Sequence, residues 1–300
     1  MEFFAAHNIH LLPIAVHIGD AVVADRRDEA TTLAFLHSHM ESRGYEAVTQ
    51  PLEVNQIRQL FLERLVTEYD HVFCLTIASS RSGIFDNATQ ASFAILNDYK
   101  PYRQAAGMHT PFSMRVIDTQ NFVPGQGIPT IEAARMIAAG ESPAAIRLRL
   151  EQVIAHTHLY VCPRDLFYLR SRAKSRGDRS VSLFSATLGS AMNIKPVLHG
   201  NLGRTAPVAK IKGFEQTALR LFTFAERCID AGLMLPSICI SYGGELVEMR
   251  DLPGYAGLRQ TCAQYGIEVQ ESIMSLTGMV NVGKGALALA FASKDAPRFA

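Results

Sequence analysis

No two cysteines in this chain are spaced as CxxC, and the five present (Cys74, Cys162, Cys228, Cys239 and Cys262) are far apart and odd in number. A structural zinc site wants paired spacing and a disulfide framework wants an even set, so neither is expected. Reduced, buried thiols of a cytoplasmic protein are the expectation instead. Charge of one sign is also lacking. The 29 Lys and Arg face 28 Asp and Glu, a net charge of +1, which leaves no electrostatic footprint for nucleic acid. The densest basic run, RSRAKSRGDR at 170–179, reads as a solvated loop. No apolar run approaches the ~20 residues that a membrane helix needs. The opening MEFFAAHNIHLLPIAVHIGD has neither a basic n-region nor a small-residue cleavage site, so no signal peptide is expected. A GxxxxGK[ST] phosphate loop is absent, which argues against self-contained nucleotide hydrolysis. The hydrolase elbow GxSxG is absent too, since LGSAM lacks the second glycine.

What is present is enough apolar sequence for a substantial core: 48% of 300 residues, with 19% charged. Short apolar runs alternate with helical patterns. NIHLLPIAV is strand-like, and TTLAFLHSHMESRG places Leu33, Leu36 and Met40 on one helical face before Gly44. EVNQIRQLFLERLVTEY does the same with Val54, Ile57, Phe61 and Leu65. HVFCLTI (71–77) is a continuous apolar run, as in a strand covered on both faces, and a helix is expected from about Asp86. MRVIDT reads as a strand. PTIEAARMIAAG reads as a helix with Pro129 in its first turn, and SPAAIRLRLEQVIA as one capped by Ser142. This alternation argues for a parallel sheet with helices on both faces. The second half differs. NIKPVL and PVAKIKG look like a hairpin, Phe214 to Gly232 like a long helix striped by Leu221, Phe222, Ala225 and Ile229, and PSICISYGG like a strand. LRQTCAQYG ends a helix, and IEVQES and GMVNVGKGALALAFAS are expected as strands. The expected architecture is therefore α/β plus α+β. A parallel three-layer α/β/α domain over 1–160 is followed by a two-layer α+β domain over 161–300.

Four stretches carry candidate chemistry. ASSRSGIFDNA (78–88) sets Ser79, Ser80 and Ser82, with Gly83, between a strand and a helix start. Free N–H groups there and three hydroxyls could hold an anion, whereas one capping serine and two turn serines would be the simpler account of the spacing. VPGQGIPT has two glycines of a dinucleotide fingerprint and lacks the third, so a flexible connection is the better reading, although Asp118 and Thr119 end the strand before it. His37 and His39 do not face each other on a helix, while His156 and His158 would share a face of a strand. Neither pair has a companion carboxylate in motif spacing. NVGKGALALAF offers an amide, two glycines and a lysine before an apolar run, which is also what a tight turn before a buried strand requires.

Taken together these segments resemble the DegV family of bacterial fatty-acid-binding proteins over nearly the whole chain. ASSRSGIFDNA is similar to the family's SSxLSGTYQSA, with Ser79, Ser82, Gly83 and Ala88 in place. DTQNFVPGQG, with Asp118, Gly125 and Gly127, is similar to DSxxxSxGxG. LGSAMNIKPVLHGNLGRTAPVAKIKG follows LGSLLNIKPIL and its GxI…KVR continuation, and NVGKGALALAF follows HxGPGALGLAF. The resemblance implies a two-domain binder, not an enzyme. It would hold a long-chain fatty acid between the two domains, with the carboxylate at the hydroxyl cluster, and present it to a separate ATP-using kinase subunit for acyl-phosphate formation. No cofactor is implied. Peripheral membrane contact is allowed and nucleic acid is not.

The departures are specific. The family's TSxPS segment reads VTQPL here, so Val48 has lost a hydroxyl and Thr49 keeps one. The family's C-terminal histidine is Asn281, which can donate a hydrogen bond and cannot carry charge. The family's GGRI arginine corresponds to Arg179, with Arg176 as the rival, and Lys212 stands where an arginine contacts the kinase. The first domain is expected without the family's first strand. The implied site is thus Thr49, Ser79, Ser80, Ser82, Gly83, Arg179 and Asn281, with Lys212 toward a partner. The competing reading is an acyl or phosphoester hydrolase or transferase using a serine of 79–82, which would need a base in hydrogen-bond reach. A cofactor-binding oxidoreductase through GQG is weaker still.

Overall fold

Two short runs near the start are separated only by Gly19 and Asp20, and that spacing makes a hairpin. The computed structural model describes residues 2–39, 47–165, 193–295 and 298–299. Strand β1 (Ile14–Ile18) pairs antiparallel with β2 (Ala21–Asp25), Ile18 opposite Ala21, and Gly19 adopts the positive φ of 54° that a two-residue turn demands. On its other edge β1 pairs with β3 (Ala47–Gln50), which sets Thr49 opposite Val16. The inner face carries Val16, Ile18, Val23 and Ala47 into the core. The first strand lies in NIHLLPIAV as expected, whereas β2 is an unexpected strand, although Gly-Asp between two apolar runs is a hairpin signal.

The chain then adds helix α1 (Glu2–Ala6) before this sheet and α2 (Glu29–His39) within it, and proceeds through α3 (Val54–Leu60). A π turn over Phe61–Leu65 and a last turn over Val66–Glu68 extend α3. Strand β4 (His71–Thr76) and strand β5 (Ser113–Asp118) form a parallel pair, Leu75 opposite Ile117. One face of this pair packs Val72, Cys74, Met114 and Val116 against α3 and α4 (Ile84–Ala94). The other packs Phe73, Leu75 and Ile117 against α5 (Pro124–Ala138) and α6 (Pro143–Ala155). Parallel strands covered on both faces explain why HVFCLTI shows no polar alternation.

Helix α5 begins earlier than its sequence suggests. PGQG is its first turn, with Pro124 at N1, so Pro129 lies inside the helix instead of opening it, and the GQG segment is neither loop nor cofactor fingerprint. The glycines serve packing. A Cβ on Gly125 would collide with the Asn121 side chain, and one on Gly127 would lie 3.2 Å from Cys239 Sγ. Ser142 caps α6 as expected, accepting from the Ala145 N–H at 3.2 Å.

The second sheet has the order β10-β9-β11-β6-β7-β8. It comprises β6 (Thr157–Cys162), β7 (Ile194–Asn201), β8 (Arg204–Lys212), β9 (Ser237–Tyr242), β10 (Glu268–Ile273) and β11 (Leu287–Ala292). The boundary expected near residue 160 falls inside β6, which pairs with β11 on one side and β7 on the other. In β11 the small residues Ala288, Ala290 and Ala292 face α5, while Leu287, Leu289 and Phe291 face α7 (Phe214–Asp230) and its stripe of Leu221, Phe222, Ala225 and Ile229. Helix α8 (Tyr255–Gln264) packs beside α7. The mixed α/β architecture, with a parallel pair and a mixed sheet, is as expected. GMVNV is not: Ser275 caps a helix, α9 (Leu276–Val282), by accepting from the Gly278 N–H at 3.0 Å, and only the run after Gly285 is a strand. Among the described residues no helix is long and apolar enough to cross a membrane.

His156 and His158 do not share the strand face expected of them. His156 ends α6 and contacts the Gln152 carbonyl, whereas His158 Nδ1 lies 3.0 Å from His199 Nε2 across β6 and β7. The fully buried Tyr160 stacks on His199, its ring 4.8 Å away. Burial, and then the neighbouring His199, pushes the His158 imidazole down to about 4, and burial lowers His199 as well. Both rings are neutral when folded, and in the unfolded chain each takes a proton near the ordinary 6.5. Their contribution to stability is complete above that value and is lost as pH falls from there toward about 4. Urea midpoints should therefore drop between about pH 7 and 5, and His158→Gln should flatten that dependence. An unchanged slope in the variant would remove the pair from the account.

Candidate functional site

A cavity of about 1080 Å³ opens where the inner face of the β1–β3 sheet, β4, α5, α9 and the β7–β8 hairpin meet. Every residue of HVFCLTI borders it, because among the described residues β4 pairs on one edge only, and both of its faces reach the cavity around the other. Apolar wall comes from Phe61, Leu75, Phe122, Ile131, Leu198 and Val282, among others. Two thiols, Cys74 and Cys239, also border it, and burial pushes both up to about 12, which leaves them poor nucleophiles.

The hydroxyl-rich turn after β4 is held from outside the cavity. The Asp118 carboxylate at the end of β5 accepts the Ser79 N–H at 3.2 Å and the Gln120 N–H at 2.7 Å, and the Ala78 N–H donates to the Asn121 carbonyl at 2.9 Å. The turn is thereby fastened to the start of α5. Of its residues, Arg81, Ser82 and Gly83 border the cavity. Ser79 and Ser80 do not; both are exposed. The Ser80 hydroxyl donates to the Gly203 carbonyl at 2.9 Å, and the Gly203 N–H donates to the Gln120 carbonyl at 2.7 Å. Leu202 and Gly203, both with positive φ, make the tight turn of the β7–β8 hairpin, so Ser80 anchors the hairpin tip. Next to it Arg81 donates to the Thr205 hydroxyl at 2.6 Å and lies over the Phe122 ring, 5.2 Å from its centre.

Ser82 is not a helix cap in the usual sense, since α4 begins at Ile84 with Gly83 at its N-cap. Its hydroxyl accepts the Ile84 N–H at 3.3 Å. Thr49 borders the cavity from β3, and Asn87 Nδ2 ties α4 to the Leu52 carbonyl just beyond it at 2.8 Å. Asn281 borders the cavity from the last turn of α9, not from a glycine loop, and donates to the Thr277 carbonyl at 2.8 Å. The structure thus brings together Thr49, Ser82, Gly83 and Asn281 and leaves Ser79 and Ser80 aside. Lys212 is exposed at the end of β8 and does not border the cavity. Arg179 and Arg176 lie outside the described residues.

Other lining residues had no motif to announce them. Arg27 and Asp25 come from the end of β2, Thr277 from α9, and Thr205 from β8. Asp25 Oδ2 accepts the Thr277 N–H at 2.7 Å and Oδ1 the Arg27 N–H at 3.3 Å. No histidine or carboxylate is hydrogen-bonded to the hydroxyl of Ser79, Ser80 or Ser82, so among the described residues these serines have no base of the kind nucleophilic catalysis uses. No cluster of three or more His, Cys, Asp or Glu suited to a metal is found among the described residues either.

A family model described as "Uncharacterised protein, DegV family" matches residues 1–294. A DegV domain-containing protein of Xanthomonas campestris pv. campestris is 61% identical over 293 residues, covering 98% of this chain and 93% of that protein. Among solved structures, DegV of Bacillus subtilis, described as a fatty acid binding protein, superposes with a TM-score of 0.75 at 19% identity, over 98% of this chain and 94% of that one. The Streptococcus pneumoniae Fatty Acid Kinase (Fak) B3 protein loaded with linoleic acid superposes with a TM-score of 0.70 at 16% identity, over 94% and 90%. By its match along almost its whole length, this chain belongs to the DegV family.

Proposed function

We propose that this protein binds a long-chain fatty acid in the cavity and presents it to a separate kinase subunit that makes the acyl-phosphate. One observation carries the reading: a large cavity with a mostly apolar wall gathers the uncharged hydrogen-bonding groups of Thr49, Ser82 and Asn281, from three separate elements, on its border. Burying about sixteen carbons at ~0.8 kcal/mol per CH₂ supplies ample gross energy against the cost of ordering the chain. The hydroxyls and the Gly83 backbone then mainly orient the carboxylate. The names of the Bacillus subtilis and Streptococcus pneumoniae neighbours support this reading, the first through fatty acid binding and the second through a fatty acid kinase. The protein itself would be no enzyme and would need no cofactor. It would work in the cytoplasm, with Lys212 at the exposed end of β8 as a contact for the kinase subunit. A serine nucleophile is not favoured, because the hydroxyls of 79–82 have no base among the described residues.

Native mass spectrometry of the purified protein is expected to show one long-chain fatty acid, lost on denaturation. A covalent acyl adduct would point to the serine enzyme, and a retained nucleotide to a cofactor-binding protein. Replacing Thr49 by Val together with Ser82 by Ala should weaken binding of a fluorescent fatty acid by ~1–3 kcal/mol, since a buried charged acceptor is left under-satisfied. Ser79→Ala, outside the cavity wall, should leave affinity unchanged. If Ser79→Ala instead weakened binding as much as the double variant, the site would lie on the outer side of the turn.

A further inference from the structure

Of the implied site residues that border the cavity, Thr49, Ser82 and Asn281 are all neutral, yet the ligand read for this cavity is an anion; Arg179 lies outside the described residues. Among the described residues two arginines border the cavity, Arg27 and Arg81. Arg81 is engaged with Thr205 and Phe122. The Arg27 guanidinium makes no hydrogen bond and no ion pair within 4.0 Å among the described residues. Burial pulls it down from its ordinary value, while Asp25 and Glu29 hold it up. Asp25 does not satisfy it: the two carboxylate oxygens accept the backbone N–H groups of Arg27 and Thr277. A half-buried guanidinium that borders the cavity and has no partner among the described residues is suited to an anion that enters there.

Three further features converge on the same place. The Thr277 hydroxyl is buried with no hydrogen-bond partner among the described residues, and it borders the same cavity. Asp25 links the Arg27 and Thr277 backbones, and the Thr277 carbonyl accepts from Asn281, so Arg27, Thr277 and Asn281 form one connected polar edge. Arg27 has a φ of 61°, a left-handed conformation that a non-glycine residue keeps only when its surroundings enforce it, here the Asp25 bond to its N–H.

We propose that Arg27 and Thr277 complete the headgroup site. The guanidinium is the ionic partner of the ligand's carboxylate, and the Thr277 hydroxyl is a neutral donor beside it. The chain therefore selects a free acid over an uncharged lipid of equal length. This rests on the fatty-acid reading above and adds the origin of charge selectivity, for which neither Thr49 nor Ser82 is suited.

The test compares hexadecanoic acid with 1-hexadecanol on delipidated protein, each displacing the same fluorescent probe. Arg27→Gln should lose about tenfold or more in affinity for the acid, the effect of one charge-assisted hydrogen bond, and leave the alcohol unchanged. Arg27→Lys should keep most of the preference for acid. Thr277→Val should weaken the acid several-fold, with Thr277→Ser restoring it, and this arm stands even where Arg27→Gln folds poorly. Equal losses for acid and alcohol in Arg27→Gln, or no loss for the acid, would overturn the assignment while leaving the fatty-acid reading intact. An unsubstituted protein that binds neither lipid would overturn both together.

Discussion

Helix α5 is buried against two sheets at once, and that contact requires small residues on both sides of it. Gly125 and Gly127 let the helix approach Asn121 and Cys239, and Ala288, Ala290 and Ala292 present a shallow strand face to it. Ala133 and its neighbours meet Phe73, Leu75 and Ile117 of the parallel pair on the other side. With α5 held this closely, β4 and the six-stranded sheet keep a constant separation. The space beside them, bordered by Gly127, Thr130, Ile131 and Ala134 of the same helix, becomes the cavity. A bulkier residue at Gly127 would push α5 off β9 and shift the cavity wall with it.

The polar turns at the ends of β4 and β5 are joined by one carboxylate. Asp118 takes the N–H groups of Ser79 and Gln120, so two loops from different strands move as a unit. The β7–β8 hairpin tip then docks on this unit through Gly203 to Ser80 and Gln120, and through Thr205 to Arg81. The hydroxyls of one short segment divide their labour accordingly. Ser80 holds the hairpin, and Ser82 faces the cavity. Two of the three serines in four positions thus serve two different interfaces that meet at one turn.

Much of this organisation is legible in the residues. HVFCLTI has no polar alternation because both of its faces are covered, the α7 stripe repeats at helical spacing, and Ser142 before Pro143 marks a helix start. The motif segments point to Thr49, Ser82, Gly83 and Asn281, all of which border the cavity. Other features depend on distant partners and leave no local trace. Glycines in PGQG look like loop residues until Cys239 and Asn121 come within reach of them. MVNV has the apolar, β-branched content of a strand, yet Ser275 caps it as a helix that packs on β1 and β3. His158 meets His199, not His156, because the partner is chosen by the register of β6 against β7.

The fold class, the family and the set of hydroxyl and amide groups from which a headgroup site is drawn follow from periodicity, turn chemistry and short contiguous motifs. Which members of that set share a cavity depends on how distant elements pack. Ser79, Ser80 and Ser82 are indistinguishable along the chain, but the turn points one hydroxyl inward and another at the hairpin carbonyl of Gly203. Arg27 and Thr277, 250 positions apart, belong to no motif. They become neighbours because the Asp25 carboxylate bonds the backbone N–H of each, and a hydrogen bond between residues so distant in sequence exists only once the β1–β3 sheet and α9 have packed together.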